Sequence, residues 1–131
     1  MTITREADYA MRIAALLAQS RILIDAKAIA EQSHVPYRFT LKILRKLVCA
    51  GIAKSYRGVN GGYLLNKSAD EITLKEIIEA IDGPIAINRC IAEPDLCKNT
   101  GACRIQKHLI ASQKIFAEAL SSKSLQEIID D

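Results

Sequence analysis

PYRFTLKILRKLVCAGIAKSYRGVNGGYLL, residues 36–65, decides the fold. Pro36 suits the first turn of a helix, where no amide donor is needed, and Gly51 suits the position just past its end, so PYRFTLKILRKLVCA reads as one helix. At about 100° per residue, Phe39, Ile43, Leu44, Leu47 and Val48 spread over one broad side. Arg38, Lys42, Arg45 and Lys46 fall within an arc of about 100° on the other. Beyond the helix, Ile52 to Tyr56 and Tyr63 to Leu65 are short strand-like runs around RGVNGG. Asn60-Gly61-Gly62 is expected to supply the positive φ of a tight hairpin.

Upstream, Ala10, Ile13, Ala14 and Leu17 recur at helical spacing, predicting an amphipathic helix from about Thr4 to Ala18. Asp25 can N-cap a short second helix, AKAIAEQ, closed by Ser33-His34-Val35. Three helices joined tightly and followed by a glycine-rich hairpin make a winged helix-turn-helix. Downstream, Thr73 with Glu76 forms a T-x-x-E capping box that opens LKEIIEAI, which stops at Asp82-Gly83-Pro84. From Cys103, CRIQKHLIASQKIFAEALSS runs without Gly or Pro and carries Ile105, Leu109, Phe116 and Leu120 among its apolar positions. Such a helix needs a partner surface, and a two-fold homodimer suits it. Ser124 and Glu127 cap a last short helix, SLQEIID. The expected fold class is mainly α with a small β-hairpin. It divides into a DNA-binding domain (1–83), a cysteine loop (84–103), and a dimerisation helix with its short C-terminal helix (104–131).

Charge is uneven along the chain. Residues 1–70 carry eleven Lys+Arg against five Asp+Glu, net +6, while 71–131 carry seven against ten, net −3. The basic half is the half suited to phosphate. A solvated helix face usually mixes both signs, yet no acid occurs between Glu31 and Asp70, so the cationic stripe points to nucleic acid. Tyr37, Arg38, Lys42, Arg45, Arg57 and Asn60 are the candidate DNA contacts, with Arg57 at the base of the wing, where an arginine can enter a minor groove. Apolar runs are too short to span a bilayer and MTITREADYA is too charged for a signal peptide, so a cytoplasmic protein is expected. No nucleophile–base set, P-loop or dinucleotide fingerprint is present, and an enzyme is not expected.

Three of the four cysteines, Cys90, Cys97 and Cys103, lie within fourteen residues, separated by six and five others. Thiolates bind soft metals and iron–sulfur clusters, and these intervals leave slack for three sulfurs to converge. The plainer reading, one disulfide and a spare thiol, requires an oxidising compartment. Structural zinc sites usually pair cysteines two to four apart, and neither interval here does. An electron-transfer protein would need a cluster but neither a basic helix nor a wing. Cys49, at the end of the basic helix, is expected to be a small buried or half-buried thiol.

READYAMR, the helix-turn-helix, KSYRGVNGGYLL, ITLKEIIEAIDGP and C-x6-C-x5-C before a long helix, in that order, resemble the IscR/NsrR regulators of the Rrf-two superfamily of winged helix-turn-helix transcription factors. The resemblance spans nearly the whole chain. It implies a homodimer on double-stranded operator DNA that senses iron–sulfur status, nitric oxide or redox state through a cluster, [2Fe–2S] or alternatively [4Fe–4S]. Cys90, Cys97 and Cys103 match the ligating cysteines, although many members place five residues between the first pair. The family's usual fourth ligand, a histidine three residues after the last cysteine, is replaced by Gln106, and an amide is a poor iron ligand. His108 lies about 140° round the helix from Cys103 and reads as a surface residue. NsrR-like members recruit an aspartate from the first helix of the partner subunit, and Asp8 matches that place. A closer alternative keeps the DNA binding and replaces the cluster by thiol redox or a protein partner.

Overall fold

The computed structural model describes residues 2–99 and 101–131. Their order is α1 (Arg5–Ser20), α2 (Ala26–Ser33), α3 (Tyr37–Cys49), β1 (Ala53–Tyr56), β2 (Gly62–Leu65), a 3-10 turn (Ala69–Glu71), α4 (Leu74–Asp82), α5 (Arg89–Ala92), a second 3-10 turn (Pro94–Leu96), α6 (Arg104–Ser121) and α7 (Leu125–Asp130). The mainly helical class with one small hairpin is therefore observed. No helix among the described residues is long and apolar enough to cross a membrane.

Local chemistry explains most boundaries. The hydroxyl of Thr4 accepts the Ala7 amide and the carboxylate of Asp25 accepts that of Ala28, each satisfying an orphan N–H at a helix start. Pro36 sits one step earlier than expected, as the N-cap of α3, and its carbonyl accepts the Phe39 and Thr40 amides. Gly51 takes a positive φ of 78° just past that helix, as anticipated. The capping box at Ser124–Glu127 is complete. The one expected at Thr73–Glu76 is half-made: Thr73 accepts the Glu76 amide, but the Glu76 carboxylate turns away to Lys67.

α1 is the hub. Its stripe of Ala7, Ala10, Ile13, Ala14 and Leu17 is buried, and the small alanines let α2, α3, α4 and α7 pack close around it. α3 contributes Ile43, Leu44 and Leu47, and α4 contributes Ile77, Ile78 and Ile81. The chain's end returns to this core. Leu125 is buried within it, its amide donates to the Ile72 carbonyl at 2.7 Å, and α7 lies against α1.

The wing departs from its expected turn. β1 and β2 pair antiparallel from Ala53–Leu65 to Tyr56–Gly62, but the positive φ belongs to Gly58, at 112°, and not to Asn60-Gly61-Gly62. Gly61 and Gly62 are glycines because of space: a Cβ would run into the Tyr56 carbonyl at the first and the Ile24 carbonyl at the second. That second approach exists because Ile24 pairs with Tyr63 through two backbone hydrogen bonds, adding a one-residue third strand to the wing.

Candidate nucleic-acid interface and cysteine loop

The outer face of α3 and the base of the wing form one surface. Arg45 and Arg57 line a shared groove of about 370 Å³ with Leu41, Val48, Cys49, Ser55 and Tyr63. The guanidinium of Arg38 lies over the Phe39 ring at 4.9 Å, a cation–π contact that orients it while leaving its donors outward. Tyr37 and Asn60 are exposed at the two ends of this surface. Cys49 is exposed too, not buried or half-buried, because it falls on the last turn of α3 beyond the residues that pack on α1.

The cationic stripe is not wholly free. Glu6, from the first turn of α1, reaches across to α3, and its two carboxylate oxygens take Lys42 at 2.7 Å and Lys46 at 3.2 Å. These lysines hold the Glu6 carboxyl below the usual glutamate range, Lys42 having the larger effect. The absence of acids between Glu31 and Asp70 concealed this pairing, since the acid arrives from a distant segment. Arg38, Arg45 and Arg57 take part in no salt bridge among the described residues.

The cysteine loop is organised differently. All four cysteines are free thiols, and Cys90, Cys97 and Cys103 are half-exposed. Cys90 and Cys97 line one cleft of about 360 Å³ with Glu93, whereas Cys103 lines another with Gln106 and Ile110. Among the described residues no three Cys, His, Asp or Glu side chains are gathered closely enough to hold a metal ion. The Cys103 sulfur N-caps α6 by accepting the Gln106 amide at 3.5 Å, and the Cys90 sulfur accepts the side-chain amide of Asn88 at 3.5 Å.

Gln106 is the residue that sequence reasoning undervalued. It is the one buried position of α6, 9% exposed, and both ends of its amide are used. Its Nε2 donates to the Cys90 carbonyl at 3.1 Å and its Oε1 accepts the Gly101 amide at 3.3 Å. Seven residues on, Gln113 Oε1 accepts the Ile87 amide at 2.9 Å. Two glutamines two turns apart thus tie the loop's backbone to one face of α6. A signal was present in the sequence: two uncharged amides seven apart on one helix.

The same projection corrects the expected surface of α6. Leu109, Phe116 and Leu120 lie on the glutamine face and are half-buried against their own chain, with Phe116 and Leu120 in a cleft shared with Ile78, Ile85 and Ala92. Ile105 and Ile115 belong to a second stripe and are 71% and 69% exposed. That stripe includes His108, Ser112 and Ala119, spaced three and four apart without a charge. Asp8 pairs with Arg12 at 2.9 Å on its own helix.

As to a cluster, the donor set fits by type: three free thiols carried by one loop. A fourth donor from Gln106 does not fit, because its amide is committed to the backbone on both sides.

These features have counterparts in known proteins. A family model described as "Rrf2: Iron-dependent Transcriptional regulator" matches residues 3–131. The chain is 35% identical to an Rrf2-like HTH-type transcriptional regulator of Rhodobacter capsulatus over 130 residues, covering 92% of this chain and 82% of that protein. In fold it is similar to IscR of T. potens, with a TM-score of 0.80 at 22% identity over 100% of this chain and 88% of that one. It is equally similar to CymR, the global cysteine regulator of B. subtilis, with a TM-score of 0.79 at 24% identity over 99% and 97%. From the basic helix and wing to the returning C-terminal helix, the chain belongs to the Rrf2 family of DNA-binding transcriptional regulators and is not an enzyme.

Proposed function

We propose that this regulator binds operator DNA as a homodimer and senses iron–sulfur status, nitric oxide or redox state through Cys90, Cys97 and Cys103. The observation that carries the reading is the loop itself: three free, half-exposed thiols on backbone that the α6 glutamines hold in place. The group best matched to three such thiolates is an iron–sulfur cluster, [2Fe–2S] or [4Fe–4S], with Asp8 of a second copy as the remaining ligand. Bound there, it would supply an iron centre open to attack at its weakest ligand.

The chain's own residues provide the route to DNA. Gln106 and Gln113 couple the loop to α6, α6 packs on α4, α4 packs on α1, and α1 packs on the recognition helix α3. A change in the loop's state biases the populations of this packed series, and with them the disposition of α3 on the major groove. Tyr37, Arg38, Arg45, Arg57 and Asn60 are the proposed contacts. Lys42 shares their stripe, but its ammonium is engaged by Glu6. The second copy is proposed to cover the charge-free stripe of Ile105, His108, Ser112, Ile115 and Ala119. Asp at Ile105 and Ile115 then buries unpaired charge and should weaken the dimer by several kcal/mol. Sedimentation giving a wild-type monomer, or mutant dimers as tight as wild type, would overturn that interface.

Anaerobically prepared protein tests the cluster. It should be coloured, contain iron and acid-labile sulfide, and lose both when Cys90, Cys97 or Cys103 becomes Ser, while Cys49→Ser retains them. Asp8→Ala should keep much of the colour and change its lifetime in air. Colourless protein after anaerobic reconstitution would overturn the cluster. A second reading, direct thiol oxidation, is favoured by the separate clefts of Cys90–Cys97 and Cys103. It requires that oxidising metal-free protein forms a disulfide and changes DNA affinity.

A further inference from the structure

We propose that Glu6 selects which cations of the recognition helix meet DNA: it occupies Lys42 and Lys46 as an internal stand-in for phosphate and leaves the arginines to contact the duplex. The inference rests on the DNA-binding reading above. Lys42 and Lys46 are one turn apart on α3, so their ammonium groups project from the same side and a single carboxylate can bridge them. Each takes one oxygen of Glu6. Glu6 is well placed to win this contest locally. It stands in the first turn of α1, where the helix dipole favours an acid, it is only 27% exposed at the side chain, and its helix is packed against α3.

The consequence is a sorting of the stripe by chemistry. Both lysines, which grip phosphate as point charges regardless of sequence, are drawn towards α1. Arg38, stacked over Phe39, and Arg45, in the groove shared with Arg57, keep their guanidinium donors free. Those are the groups whose forked geometry can read a base edge. Glu6 therefore lowers the sequence-indifferent part of the affinity more than the sequence-reading part, and sharpens discrimination.

The test uses the full-length chain and a short duplex of mixed sequence, so that no operator need be known. Binding is followed by fluorescence anisotropy across a series of KCl concentrations, with circular dichroism to confirm folding. Glu6→Gln keeps the size of the side chain while removing its charge and one of its two acceptor oxygens. It should tighten binding several-fold at low salt and steepen the dependence of log K on log salt by roughly 1 to 2, since each newly neutralised phosphate contributes about 0.9. In the Lys42→Ala/Lys46→Ala background the same change should no longer steepen the slope. A Glu6→Gln slope equal to wild type, or a gain that survives loss of both lysines, would overturn the role of Glu6 alone. A folded wild type with no salt-dependent DNA binding would remove the DNA-contact reading and this inference with it.

Discussion

From Arg5 to Asp82 every helix turns apolar side chains into one core, whereas between Gly83 and Cys103 no described residue is buried. The first region is held by packing around α1, where Ile13, Ile43, Leu44 and Leu47 are wholly or almost wholly removed from water. The second is held by backbone hydrogen bonds to two glutamines of α6 and by short turns at Asn88, Glu93 and Asn99. Packing is cooperative and resists local change; a few part-buried hydrogen bonds do so less. The two regions therefore suit different tasks. A rigid body presents arginines at fixed spacing, and a weakly held loop can respond to what its thiols bind.

The contrast breaks most readily in the core. Ile43→Ala should cost about 2–5 kcal/mol of global stability, because the cavity lies beneath a recognition helix that cannot collapse into it. Leu96→Ala in the loop, where Leu96 is exposed, should stay within about 0.5 kcal/mol. Urea denaturation compares the two directly. If Leu96→Ala matched Ile43→Ala, the loop would be part of the core and the distinction lost.

Gln106→Leu sharpens the same contrast from the other side. Removing the amide strands the Cys90 carbonyl and the Gly101 amide, with a local cost of about 1–3 kcal/mol. Hydrogen exchange should quicken around 87–103 while α1 and α3 keep their protection. Uniform loss of protection through α1 would mean that the clasp supports the whole fold. At the DNA surface, Arg57→Ala should weaken operator binding by about 1–3 kcal/mol if the side chain enters a groove, as anisotropy titrations would read.

The smallest effect is expected at the join between α1 and α3. The carboxyl of Glu6 is held below its ordinary range by Lys42 and Lys46, so its folded-state pKa lies below its unfolded one. The stability this contributes is present above the ordinary glutamate range and is lost as pH falls through the lower, folded-state value. Melting temperature measured down to acid pH should fall less steeply for Glu6→Gln than for wild type. Parallel curves would show that the pairing adds no stability, as many surface ion pairs do not.

How far the residues announced this arrangement depended on the distance over which each cause acts. Asp25, Ser124 and Gly51 have causes lying within one turn of chain, and their roles could be read directly. The positive φ of the wing falls at Gly58 and not at the expected Asn60-Gly61-Gly62, where Gly61 and Gly62 answer instead to carbonyls of Tyr56 and Ile24, the latter from another segment. Cys49 was expected to be at least half-buried, although its exposure follows from where α3 leaves α1. The apolar residues of α6 all suit a partner surface by composition, and it is the packing of α4 that puts Phe116 and Leu120 against their own chain and leaves Ile105 and Ile115 exposed.

Periodicity and capping chemistry, acting between neighbours, were enough by themselves to determine α1 to α4, α6 and α7, the two paired strands and the run of cations along α3, whereas α5 and the two 3-10 turns carry no such pattern. Only the tertiary structure decided that Glu6 takes two lysines 36 and 40 residues away, that Gln106 fastens the cysteine loop, and that α7 closes the first core. These contacts depend on the relative placement of whole helices, which packing around α1 sets and no local pattern encodes.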